Sequence, residues 1–209
     1  MSRHGKVIYT ALLFLAYLVI YYTIQYFVHQ TQVDYWTEID GAIPFMPEFV
    51  WVYHTLPVCI AMVMVGYIQH RALFMQTFWA CIVAGLLMSV FHIAAPAIYP
   101  RAPFEVTNVH ETLVEFTRTI DGASNTFPSG HVAFSWLMFL AARKTKYAKE
   151  NPFISRFFLL WAIGISFSTL VIKQHFVADV VSGIATAVLS FYIAKLFIRQ
   201  QKPQPPIYC

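Results

Sequence analysis

The chain has 209 residues, 58% of them hydrophobic and only 11% charged. A mean hydropathy of +0.58 excludes an ordinary water-soluble domain, and the charges that remain sit in gaps between long apolar runs. The formal net charge of +4 has no basic stripe with interleaved aromatics behind it, which argues against a nucleic-acid partner.

A hydrocarbon core about 30 Å thick takes roughly 20 apolar residues as helix. The first such run, Ile8–Phe27, follows Arg3 and Lys6. It is too long for a signal-peptide core and lacks a small-x-small cleavage pattern before His29, so it reads as a retained transmembrane helix. The gap from His29 to Glu48 carries Asp34-Tyr-Trp-Thr-Glu38-Ile-Asp40 and then Ile43-Pro-Phe-Met-Pro47, which suits a segment lying at a membrane interface. The second run is Phe49–Ile68, and His70-Arg71 turns the chain into the third, Leu73–Ala97. Ile98 to Phe127 reads as a long loop holding Tyr99–Phe104, three Glu, Arg118 and Asp121.

The fourth run, His131–Ala142, is short, with an alternative start at Phe127. A basic loop from Arg143 to Arg156, in which Asn151-Pro152 marks the start of the next helix, leads to the fifth apolar run, Phe157–Val171, which is also short. Lys173-Gln174 is a brief link to the sixth, Phe176–Phe197. The tail Gln200–Cys209 is polar and Pro-rich and reads as disordered. Residues 1–209 thus form one all-α, polytopic domain of six transmembrane helices.

The charges are sorted across that layout. Arg3, Lys6, Arg71, Arg143, Lys144, Lys146, Lys149, Arg156, Lys195, Arg199 and Lys202 fall on one side. Asp34, Glu38, Asp40, Glu48, Glu105, Glu111, Glu115 and Asp121 fall on the other. Lys and Arg favour the cytoplasm, which puts both termini there. Cys59, Cys81 and Cys209 are too far apart for a metal knuckle or a disulfide framework.

The chemistry concentrates in two short segments. Asn125 to His131 reads NTFPSGH, and 44 positions after His131 comes His175-Phe-Val-Ala-Asp179. A His at i and an Asp at i+4 share a helical face, so the carboxylate can hold one imidazole nitrogen and leave the other free. Ser129-Gly130 stands ahead of a helix-length run, where unpaired N–H groups and the dipole suit a phosphate. Both segments emerge on the outer face. The pattern describes a phosphoryl-transfer site with a histidine nucleophile.

On these residues the sequence resembles the type 2 phosphatidic acid phosphatase superfamily of integral-membrane lipid phosphatases. That family's pattern is Lys-x6-Arg-Pro, then Pro-Ser-Gly-His, then Ser-Arg-x5-His-x3-Asp. Pro128-Ser129-Gly130-His131 matches the second part completely. Ser168, His175 and Asp179 match the third, with Thr169 at its arginine position. The first part is matched poorly: Arg101 is followed by Ala102-Pro103, and Ala94 stands seven before it. The motif likeness covers Ile98 to Gly183, the region 98–183.

The resemblance implies that His175 attacks phosphorus, that Asp179 holds its other nitrogen, and that His131 protonates the leaving oxygen and then activates the acceptor. Ser129, Gly130, Arg101 and Lys173 are the expected phosphate contacts, with Lys173 replacing the missing arginine and Arg118 a further candidate. Asp121 and Asn125 either shape the turn by side-chain to backbone bonding or contact a headgroup. No cofactor and no metal are expected. Two His and one carboxylate can hold iron or zinc, but neither loop adds a further convincing ligand. His54, His92 and His110 read as bonded structural histidines.

The expected substrate is a phosphorylated lipid, such as phosphatidic acid, phosphatidylglycerophosphate, polyprenyl diphosphate or a lipid A phosphate. It would be hydrolysed on the periplasmic, extracellular or lumenal side of a plasma or other membrane. A likeness to the inositol phosphorylceramide synthase branch implies a lipid phosphotransferase as the alternative. The reading of another class is a non-catalytic lipid-binding or transport protein. Transport predicts paired broken helices, and no such symmetry is visible.

Overall fold

The computed structural model describes residues 1–27 and 35–200, the last two without their side chains. Asp34 and the tail residues 201–209, with the disorder expected there, lie outside the described residues. In chain order the helices are α1 (Arg3–Phe27), α2 (Glu38–Ala42), α3 (Pro47–Tyr67), α4 (Arg71–Ala94), α5 (Val109–Asp121), α6 (Gly130–Ala142), α7 (Lys146–Glu150), α8 (Pro152–Val171) and α9 (Val177–Gln200). The described residues form no strand, only an isolated bridge between Ile98 and Ser124.

Among the described residues, five helices are long and apolar enough to cross a membrane: α1, α3, α4, α8 and Val177–Ile198 of α9. The chain is an all-helical integral membrane protein. The helix that carries the fifth apolar run starts where Asn151-Pro152 marks it, with Asn151 as cap and Pro152 first, so α8 extends five residues ahead of Phe157 and reaches spanning length. Asn151 Oδ1 accepts from the Phe153 N–H at 3.0 Å. The fourth run, α6, has 13 residues, or about 20 Å of rise.

α6 is the packing centre. Val132, Ala133, Ser135, Leu137, Met138, Ala141 and Ala142 are all buried. Small side chains let neighbouring backbones approach, which is how helices pack where lipid removes the hydrophobic drive. α4, α8 and α9 all pack on α6, and α9 also packs on α4. The shared core runs through Met64, Phe74, Met88, Phe158, Ile165 and Phe191. α1 lies outside, against α4, and buries only Lys6 and Ile24. The Lys6 ammonium donates to the Ile68 carbonyl and ties down its first turns.

α3 is irregular. It opens as a 3-10 turn at Pro47–Phe49 and closes in π geometry over Met62–Tyr67. Pro57 in its middle has no N–H to give to the ladder.

The stretch read as a long loop contains α5, an amphipathic helix. Asn108 Oδ1 accepts from the N–H groups of His110 and Glu111 at 3.0 Å, and Glu111 Oε2 accepts from Thr107 N–H and Oγ1–H at 2.8 Å. This is a reciprocal cap. Val114 packs with Val50 and Tyr53 of α3 and with Val171 and Ile172. Helix α5 therefore roofs the ends of α3 and α8.

Candidate active site

His175 sits in the turn between α8 and α9, not on the helix itself. The N–H groups of Gln174 and His175 both donate to the Thr169 carbonyl, at 3.0 and 3.2 Å. Lys173 takes φ +59°, in the left-handed region, to make that reversal. Asp179, in the first turn of α9, accepts on Oδ2 from the Phe176 N–H at 3.0 Å and pairs with His175 Nδ1 at 3.0 Å. One carboxylate oxygen thus caps α9 and orients the imidazole, leaving Nε2 free. Asp179 is fully buried and His175 is 7% exposed.

Asp40 of α2 braces the same turn from outside. Its Oδ1 accepts from Val177 N–H at 2.7 Å, and its Oδ2 accepts from Thr37 N–H and Oγ1–H at 2.8 and 2.6 Å. A carboxylate at the first residue of α9 satisfies a helix donor and complements the dipole.

The PSGH segment meets this turn directly. Ser129 N–H donates to the Asp179 carbonyl at 3.2 Å, and Ser129 Oγ caps α6 by accepting from Val132 N–H at 3.4 Å. Gly183 makes the approach possible: a Cβ there would lie 2.9 Å from the Ser129 carbonyl oxygen and 3.0 Å from Val132 Cβ. His131 follows on α6, with its ring centroid 6.3 Å from that of His175. The Tyr53 ring stacks on His131 at 3.9 Å and 23°.

A cavity of about 230 Å³ opens over the two histidines. Its polar end is lined by Arg101, Asp121, Asn125, His131, Gln174 and His175. Its apolar arm runs between α1 and the bundle past Leu13, Tyr17, Ile60, Cys81 and Phe134. Arg101 donates to the carbonyls of Arg118, at 2.9 Å, and Gly122, and to Gln174 Oε1. Burial lowers its guanidinium pKa, and Asp121 works against that. Gly122, at φ +52°, lets the chain turn tightly beside Gln25.

The structure brings His131, His175, Asp179, Gly130, Arg101, Asp121 and Asn125 together. Three expected residues do not line the cavity, and their side chains are engaged in other bonds. Lys173 Nζ donates to the Asp40 carbonyl at 3.0 Å and to the Ile43 carbonyl, tying the turn to α2. Arg118 donates to the Ala102 carbonyl at 3.0 Å and lies over the Phe104 ring at 4.7 Å. The Ser129 side chain is fully buried as the cap of α6. Asp121 does not bond the backbone of its turn: Tyr21 and Tyr53 hydroxyls donate to its two oxygens at 2.9 and 2.5 Å. Asn125 takes φ +61°, and its Nδ2 reaches the Tyr21 carbonyl at 3.5 Å.

Of the histidines read as structural, His54 pairs with Thr117 Oγ1 at 2.8 Å but also lines the cavity. His110 accepts from Trp51 Nε1 at 2.9 Å, and His92 is buried beside Pro128.

Sequence reasoning missed Gln174, Tyr21, Tyr53 and Asp40. Gln174 adjoins the nucleophile candidate, which was signal enough to include it. The two tyrosines lie inside apolar runs and carry no local signal.

A family model described as the PAP2 superfamily matches residues 26–193 of the chain. No curated protein and no solved structure matches it.

Proposed function

The chain belongs to the PAP2 superfamily and so acts on phosphate esters as a phosphatase or phosphotransferase; from that premise we propose that it hydrolyses a lipid phosphate through a phosphohistidine. His175 Nε2 attacks phosphorus, and the P–O bond to the lipid breaks as the leaving oxygen takes a proton from His131. Water then gives a proton to His131 and attacks the phosphohistidine, and the P–N bond breaks to release phosphate and regenerate His175. The observation that carries this is the pair of imidazoles 6.3 Å apart, one of them held through Nδ1 by Asp179 at 3.0 Å. A tetrahedral phosphoryl group fits between a free Nε2 and a proton donor at that separation, and phosphoryl transfer asks chiefly for such positioning.

We assign Arg101 and the Gln174 amide to the phosphate, along with the α6 N-terminus at Gly130. Lys173 and Ser129 hold the turns that carry the histidines. The apolar arm of the cavity supports an amphiphilic substrate, whose chain would lie along α1 while its headgroup meets the histidines. Helix α6, wrapped by α4, α8 and α9, would serve as the sixth crossing despite its length, because protein and not lipid surrounds it. The sorted charges support cytoplasmic termini and a site on the opposite face.

Transfer of a phospho-headgroup to an alcohol is the second reading. It is favoured by Arg101 being the one Lys or Arg among the described residues that line the cavity, since a single cation suits a monoanionic phosphodiester better than a dianionic monoester. The deciding experiment offers purified protein a panel of phosphorylated lipids, with and without a diacylglycerol or ceramide acceptor. Release of inorganic phosphate is expected. A new phospholipid formed in its place would establish transfer, and no turnover of either kind would sink both readings.

A further inference from the structure

His131 must carry a proton at the moment the leaving oxygen needs it, inside a cavity with largely apolar walls. One face of its ring is covered by Tyr53, with the rings 3.9 Å apart and 23° from parallel. Tyr53 is 2% exposed, and its hydroxyl donates to Asp121 Oδ2 at 2.5 Å. The other oxygen of Asp121 accepts from Tyr21 of α1 at 2.9 Å. The ring of α3 that covers the α6 imidazole is therefore held by a carboxylate of α5, which is held in turn by a hydroxyl of α1. A phenol that donates to a carboxylate has a more electron-rich ring, and such a ring face attracts a cation stacked on it.

We propose that Tyr53, tethered by Asp121, is the positioning residue for His131: it turns the imidazole toward His175 and stabilises its protonated form through the ring face. This rests on the acid role given to His131 above. The remaining polar groups facing His131 are otherwise engaged. His175 is paired with Asp179, and His54 of α3 with Thr117. Arg101 is bonded to Gly122, Arg118 and Gln174. Tyr17 of α1 meets α6 edge-on at Phe134, its hydroxyl beside Gly130. Asp121 is thus the carboxylate whose charge reaches His131 without another imidazole between them.

The test compares Tyr53→Phe, Tyr53→Leu and Asp121→Asn in the full chain in detergent micelles. Titration of 15N-labelled histidines by NMR, with His131 assigned through His131→Asn, reads the imidazole with no substrate present. His131 in Tyr53→Leu is expected to titrate about half to one pH unit lower than in the parent. Asp121→Asn should fall similarly and Tyr53→Phe less, because it keeps the stack. The far-ultraviolet circular dichroism should match the parent in all three, which reports an intact fold.

With lipid phosphate as substrate, kcat should fall roughly fivefold in Tyr53→Leu at constant KM, and the pH profile should move with His131. An unchanged His131 titration in Tyr53→Leu overturns the proposal. So does a raised KM with kcat intact, which would make these residues substrate contacts. Should Tyr53→Leu not fold, identical His131 titration in Tyr53→Phe, Asp121→Asn and the parent overturns it instead. The substrate-free arm stands even if the hydrolase reading fails.

Discussion

Helices α1 and α6 are both apolar, yet they do opposite work. α1 is 25 residues long and buries two of them, whereas α6 has 13 residues and buries seven. Length ranks α1 as the obvious membrane helix and α6 as a marginal one. The structure puts the shorter helix at the centre and gives it His131, while the longer one forms a wall of the cavity. Inside a bilayer, apolar character marks only what may leave water. Which helix faces protein is set by small side chains that allow close approach, and Gly130, Ala133, Ala141 and Ala142 cluster on α6.

This contrast breaks hardest at the mouth of α6. His131→Ala and His175→Ala should each abolish turnover, with a loss of at least 10²–10⁴ in kcat for the acid alone, measured as phosphate release from a lipid substrate. Retained activity in either variant would remove the histidine pair from the mechanism. At the other end, Ala141→Leu should destabilise the protein by about 1–3 kcal/mol through overpacking. Thermal unfolding in detergent reads this, and an unchanged melting temperature would mean that α6 is not tightly surrounded.

Two substitutions on α1 sharpen the other half of the contrast. Leu13→Trp, on the cavity side, should fill the apolar arm and raise KM several-fold for long-chain substrates (about 1 kcal/mol of lost binding), with short-chain analogues affected less. Equal effects on both would detach the arm from the lipid tail. Leu15→Ala, at a side chain 58% exposed, should change melting by less than ~0.5 kcal/mol, as surface substitutions do. A large loss there would mean that α1 packs against something outside this chain.

The site was partly legible from the chain alone. His175 and Asp179 are four residues apart, so their pairing is nearly a local event, and PSGH marks a helix start through its own cap. Local spacing did mislead in one detail. His175 precedes α9, and Asp179 reaches back to it by capping the helix, where the i, i+4 reading has both on one helical face. The polar contacts around the cavity were not legible. Arg101 meets Gln174 across 73 positions, Tyr53 meets Asp121 across 68, and Tyr21 meets Asp121 across 100. No spacing rule links such residues. The basic residue nearest the proposed nucleophile, Lys173, was attractive for its position in sequence, but the left-handed turn at that residue directs its ammonium to the carbonyls of Asp40 and Ile43.

What the sequence determined by itself is the helical, membrane-embedded class, the caps that start α6 and α8, and the four-residue spacing of His175 and Asp179. These depend on hydropathy and on hydrogen bonds closed within one turn, and both are written in neighbouring residues. Tertiary structure decided which apolar helix became the centre, which cation reached the cavity, and which aromatic ring lay on His131. Those outcomes depend on backbones meeting at contact distance, as Gly183 permits against Ser129, and only the packed bundle sets that distance.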